Sequence, residues 1–228
     1  VFGLGRGRAR WRWRHDPCPA GRQAREAAPP VRRHRGEARW RRLEPHLELV
    51  ELSPGARLYE SGVVLQHVYF PATAVVSLVS SMQDGASVEV AVVGSEGVVG
   101  VCAFMGGGHA LSSAVVQSTG HALRMTARSI AGHASRSEAL MQLLLCYTQA
   151  LFTHMAQASA CNRHHALDQQ LCRWLLLNLD RQQGNEIVVT QERIAELLGV
   201  RREGVTGAAL KLQKAGLIQY RRGLIAIL

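Results

Sequence analysis

"TQERIAELLGVRREGVTGAALKLQKAGLI", residues 190–218, contains two short apolar runs with a glycine between them, and the second run opens on arginine. Thr190 is suited to cap the first run, in which Ile194, Leu197 and Leu198 share one helical face. Each residue type that follows has a steric role. Small Ala195 lets two helices cross closely, Gly199 permits a turn with positive φ, and Val205 fills the gap between the helices. Val205, Ala208, Ala209 and Leu212 then point inward, which leaves Arg201, Arg202, Glu203 and Thr206 outward at the leading turn of the second helix. Gly216 closes that helix, and "LIQYRRGLIAIL" reads as a short hairpin, or wing.

Cations at a helix start oppose the backbone dipole, which favours anions there. An external anion resolves the conflict. Residues 190–228 carry seven basic and three acidic side chains, so the stretch reads as a winged helix-turn-helix and the anion as DNA. Arg201, Arg202, Glu203 and Thr206 are expected to contact bases, because arginine matches guanine O6/N7 and glutamate accepts from cytosine N4. Thr190, Gln191, Arg221 and Arg222 are expected to contact phosphates.

The rest of the chain sets the context. Its formal charge of +10 resides in residues 1–42, where thirteen arginines face only Asp16, Glu26 and Glu37. This stretch, rich in glycine and proline and without apolar period, reads as a disordered basic leader outside the fold. Residues 43–228 balance to zero. Five cysteines form no paired framework, which fits a reducing cytosol, and a cytoplasmic location is expected. The uncharged windows 97–123 and 139–162 are broken by glycines or polar residues, so no membrane span is expected.

From Leu47 to Met125 short apolar runs alternate with turn signals, the pattern of a small antiparallel barrel or jelly roll. "VVSLVSSM" and "SVEVAVV" flank Asp84-Gly85, which suits a two-residue type I′ turn. In the second run Val88, Val90 and Val92 alternate with Ser87, Glu89 and Ala91, giving one buried and one wet face. After Thr126 the period becomes helical. Leu140, Leu144, Tyr147, Leu151 and Met155 form one stripe over 137–160, and Met141, Leu145, Thr148, Phe152 and Met155 form another. Two apolar faces imply packing on the barrel and on something else; the first stripe is assigned to a twin subunit at a two-fold axis. A further helix over 164–183 places Leu167, Leu171, Trp174, Leu175 and Leu179 inward, and Gly184-Asn185 ends it. The expected fold class is therefore α+β. The divisions are the leader 1–42, a β-barrel 43–136, a dimerisation helix 137–160 and a winged helix-turn-helix 161–228.

This order resembles the Crp/Fnr family of bacterial transcription regulators. The resemblance covers about residues 45–228 and is carried by "HVYFPATAVVSLV", "DGASVEVAVVGSEGVVG", "CNRHH", "RWLL" and, most specifically, the stretch from Thr190 to Ile218. It implies a double-stranded β-helix or jelly-roll sensor like those that bind cyclic nucleotides, joined to a winged helix-turn-helix. It also implies a homodimer on a palindromic promoter site, with RNA polymerase as a partner and an effector that remains unknown. Three departures matter. Cyclic-nucleotide members hold the phosphate with Gly-Glu followed by Arg-Ser/Thr-Ala, whereas "GVVGVCAFMGGGHALSSAVVQ" has neither arginine nor acid, so no conventional cyclic-AMP binding is expected. Iron–sulfur members use several N-terminal cysteines, and the leader has only Cys18. Gly207 stands where relatives carry another base-contacting arginine, and Gln170 where subgroup members often carry arginine.

Cys161-x-x-His164-His165 has metal-ligand spacing at a helix junction, but a structural role is expected, and likewise packing rather than haem ligation for His154 and Met155. No metal and no cofactor are expected. No nucleophile elbow, metal triad or phosphate loop appears, so the chain is not expected to be an enzyme. The alternative reading is a degenerate cyclic-nucleotide-binding-like ligand-binding or protein-interaction module without DNA activity.

Overall fold

The computed structural model describes residues 42–182 and 184–228, so residues 1–41 of the expected leader lie outside it. One compact unit spans Pro45–Leu228. Seven strands build its first half: β1 (Glu48–Leu52), β2 (Arg57–Tyr59), β3 (His67–Pro71), β4 (Val75–Ser81), β5 (Ser87–Val93), β6 (Ser113–Ser118) and β7 (Gly120–Thr126). They form two antiparallel sheets, ordered β1-β7-β3 and β2-β6-β4-β5. Val68, Val76, Val93, Val99, Ala114, Ala122 and Met125 fill the sandwich between them. The expected jelly-roll architecture is what folds.

The hairpin joining β4 to β5 differs in detail from the expected turn. Gly85 has a φ of 86°, but Asp84 stays in the ordinary region. The Gly85 amide donates to Met82, the Met82 amide donates to Ala86, and the Asp84 carboxylate accepts from the Ala86 amide at 3.0 Å. The side-chain bond lets Asp84 sit in a wider turn closed by a bulge at Gly85, with no need for two left-handed residues.

The helices follow: α1 (Ala127–Ser135), α2 (Glu138–His164), α3 (Leu167–Leu179), α4 (Gln191–Leu198) and α5 (Arg202–Lys214). Three strands complete the fold: β8 (Glu186–Val188), β9 (Ile218–Arg221) and β10 (Leu224–Ile227), in the order β8-β10-β9. Helix α2 has 27 residues, roughly 40 Å of rod. It runs four residues past the expected end at 160, so Cys161–His164 belong to it. Helix α3 is shorter than expected, stopping at Leu179 before the Gly184-Asn185 signal. The Gln170 amide donates to the carbonyls of Asn162 and His165 at 3.3 and 2.9 Å, which fastens the α2–α3 junction.

The stripe assigned to a twin subunit turns inward instead. Leu144 and Leu151 are buried within the chain, while Leu140 and Met155 are half-buried. Tyr147 enters a notch at Gly97, where a Cβ would collide with its phenol, and its hydroxyl meets the Val98 backbone. Burial first, and the nearby Glu96 charge second, push its pKa up. Helical period reveals two apolar faces but cannot say which one a barrel covers. The barrel takes the face whose tyrosine fits the notch. Leu143, Leu145 and Phe152 remain exposed on the other sides.

Candidate nucleic-acid interface

Thr190 caps α4 as expected: its hydroxyl oxygen accepts from the Arg193 amide at 3.2 Å. The helix ends at Gly199 in the left-handed region, φ 65°, where a side chain would be strained. Ile194, Ala195 and Leu197 meet Val205, Ala208, Ala209 and Leu212 in one core, so the inward face of each helix is settled. Gly204, on the same side of α5, leaves room for the Leu167 side chain.

That packing fixes what α5 presents outward. Arg201 is the N-cap residue, and it is exposed along with Arg202 and Glu203 in the first turn. Thr206 is only half-exposed, and its hydroxyl faces Gln191 Oε1 at 2.8 Å and the Arg202 carbonyl at 3.1 Å. Thr206 and Gln191 are thus tied to each other across the two helices. Thr190, Arg221 and Arg222 are exposed.

The wing is a two-residue hairpin with Arg221 paired to Leu224. Both central residues, Arg222 (φ 46°) and Gly223 (φ 81°), have positive φ, the type I′ pattern. An arginine there is uncommon, since asparagine or glycine fits more easily. Its charge stands at the tip of the wing. Tyr220 anchors the base of the wing by donating to the Val189 carbonyl at 3.2 Å.

The sequence comparisons agree with this geometry. Residues 49–136 match the cyclic nucleotide-binding domain model, and residues 169–228 match the Crp-like helix-turn-helix domain model. The chain has the Crp/Fnr fold. A Crp/Fnr-family transcriptional regulator from Eubacterium rectale superposes with a TM-score of 0.67 at 17% identity, covering 84% of this chain and 89% of that one. FixK2 from Bradyrhizobium japonicum gives 0.66 at 16% identity, covering 79% and 92%. The c-di-GMP-responsive global regulator CLP from Xanthomonas campestris gives 0.64 at 16% identity, covering 84% and 98%. No curated protein sequence matches significantly. At these identities the likeness establishes the fold.

In this Crp/Fnr-like fold the helix-turn-helix domain is packed directly on the barrel. Val79 of β4 and Val115 of β6 join the core formed by Leu171, Trp174, Leu175, Ile194 and Leu197. Glu96, in the turn after β5, pairs with Arg181 beyond α3 at 2.7 Å. Glu89 of β5, expected on a wet face, lies beneath these helices beside Trp174 and Arg193, and a register shift between Leu78 and Val79 breaks the strand's alternation, so that Ala91 falls on the opposite face. Ser77, Glu89, Gln117 and Asn178 form a polar patch in this seam that sequence reading missed. The available signals were a lone acid inside "SVEVAVV" and a lone amide inside "LLLNL".

Among the described residues no group of three His, Cys, Asp or Glu side chains could hold a metal ion, and Cys161 is buried with its sulfur accepting from Gln157. No described helix is long and apolar enough to cross a membrane.

Proposed function

We propose that this chain is a homodimeric, sequence-specific DNA-binding transcription regulator whose barrel responds to a signal other than conventionally bound cyclic AMP. The observation that carries this reading is the exposed tip of α5. Arg201, Arg202 and Glu203 stand free on a helix whose opposite face, from Val205 to Leu212, is buried. With Arg222 at the wing tip, the helix suits a major groove and the wing suits the flanking phosphates.

Thr206 and Gln191, bonded to each other, act in the proposal as spacers that set the crossing of α4 and α5, and contact DNA secondarily. The exposed Leu145 and Phe152 take the place of the inward stripe as the two-fold contact on α2. Residues 97–117 offer no cationic side chain for a buried phosphate apart from His109, which supports an effector held differently. The resemblance of CLP, itself c-di-GMP-responsive, is consistent with barrels of this fold serving other ligands. RNA polymerase is the expected partner on the promoter.

Selection from a random duplex pool, followed by fluorescence anisotropy, tests the reading. The expected result is an enriched two-fold site with half-sites about 10 base pairs apart, centre to centre. Binding without enrichment of any sequence at modest salt would overturn it.

A further inference from the structure

The polar patch between barrel and DNA-binding unit is a continuous chain of hydrogen bonds. The Asn178 amide nitrogen donates to the Trp174 carbonyl at 2.9 Å, one helical turn back. A carbonyl only accepts, so this bond fixes which end of the Asn178 amide is nitrogen. Its oxygen therefore faces Gln117 and accepts from the Gln117 amide nitrogen. The Gln117 oxygen is then left facing the Ser77 hydroxyl, 2.9 Å away, and requires a donor.

Ser77, wholly buried, has one hydroxyl proton and two oxygen neighbours: Gln117 Oε1 and Glu89 Oε2, the latter at 2.6 Å. Given to Gln117, the proton leaves no oxygen of the amide chain without a donor. The short contact to Glu89 then closes as a hydrogen bond only if the carboxyl itself donates to the Ser77 oxygen. An ionised Glu89 could take the Ser77 proton only by leaving the Gln117 oxygen facing a bare lone pair.

We propose that Glu89 is held as a neutral carboxylic acid and that its proton is one of the ties closing the seam between the barrel and the DNA-binding unit, so that the seam loosens as pH rises. The chain Glu89–Ser77–Gln117–Asn178–Trp174 runs from β5 through β4 and β6 into α3, so it spans both parts of the molecule.

Other groups surround the carboxyl. Arg173 on α3 and Arg193 on α4 both favour the charged form. Arg193 is engaged by Glu196 at 2.8 Å, and Arg173 has its own pKa lowered by burial. The buried Trp174 indole N–H lies beside the carboxyl without completing a hydrogen bond of good geometry. Desolvation outweighs these and pushes Glu89 from 4.5 up to about 7.

A raised carboxyl pKa favours the closed seam below the ordinary value, and that advantage is lost as pH climbs through the raised one. Between those two values the preference changes most steeply. If the open seam restores 4.5, the opening equilibrium should be about tenfold larger at pH 8 than at pH 6.

Infrared spectroscopy on the full chain tests the proton directly. A protonated carboxyl band should persist at pH 6, titrate away by pH 8, and be missing in Glu89→Gln. Hydrogen exchange of the α3 amides, corrected for the intrinsic pH dependence, tests the seam. It should show the tenfold rise in opening for the natural chain and a flat profile for Glu89→Gln, whose amide can still donate to Ser77. Glu89→Leu, also neutral at every pH, serves the same comparison if the amide variant does not fold. Absence of the band at pH 6, or the same rise in opening in the neutral variants, would overturn the proposal.

Discussion

Replacing Arg181 by alanine should loosen the joint between the DNA-binding unit and the barrel by a predictable amount. The Arg181 side chain is 12% exposed, and its Nε donates to Glu96 at 2.7 Å while Nη1 donates to the Leu177 carbonyl at 2.8 Å. A hydrogen bond to a charged group contributes about 1.5–3 kcal/mol. Glu96 is 45% exposed, so on losing its partner it can turn to water, and solvent already screens the pair. The lower end of that range therefore applies, about 1.5 kcal/mol. Some of this is lost packing of the arginine stem, because Cβ and Cγ of Arg181 lie against Gly94.

Urea unfolding followed by circular dichroism reads the effect. With a slope of about 2 kcal/mol per molar, the midpoint should fall by about 0.7 M. Combining the change with Glu96→Gln in a double-mutant cycle should give a coupling of about 1 kcal/mol that shrinks in high salt. A midpoint shift below about 0.2 M, or additive single effects, would refute the reasoning. It would mean that the two parts are held by their apolar contact alone.

Arg202→Ala should reduce discrimination at one base pair by about 1–3 kcal/mol, measured as the affinity difference between the selected duplex and its single-base variants. An unchanged preferred sequence would mean that α5 enters the groove differently. Arg222→Asn should relieve the left-handed strain at the wing tip and raise stability by up to about 1 kcal/mol, seen in urea unfolding. The same change should weaken binding to all duplexes alike and lower the salt slope by about one. Leu145→Glu with Phe152→Glu should shift the chain from dimer to monomer in analytical ultracentrifugation and make the unfolding midpoint independent of protein concentration, whereas Leu144→Ala should cost about 2–5 kcal/mol because it is buried inside the chain.

Local chemistry determined much of this protein from its sequence. Thr190, Gly199 and Val205 fixed the helix-turn-helix, since a cap, a left-handed turn and a core contact are each satisfied within a few residues. The wing followed from Arg222-Gly223 between two apolar runs, and the barrel from turn residues spaced along short strands. The outward charges at 201–203 needed only the helical period.

Three matters were decided by tertiary structure alone. Tyr147 and its stripe went to the barrel because the notch at Gly97 admits a phenol, and no period records a notch in a distant turn. Thr206 turned toward Gln191 because two helices cross there. Glu89 reads as the wet side of an alternating strand, yet it lies under α3 and α4, because a strand's pattern says which side faces the sandwich and nothing of what settles on the other. Burial against a partner far along the chain is a property of docking, and no local pattern records it.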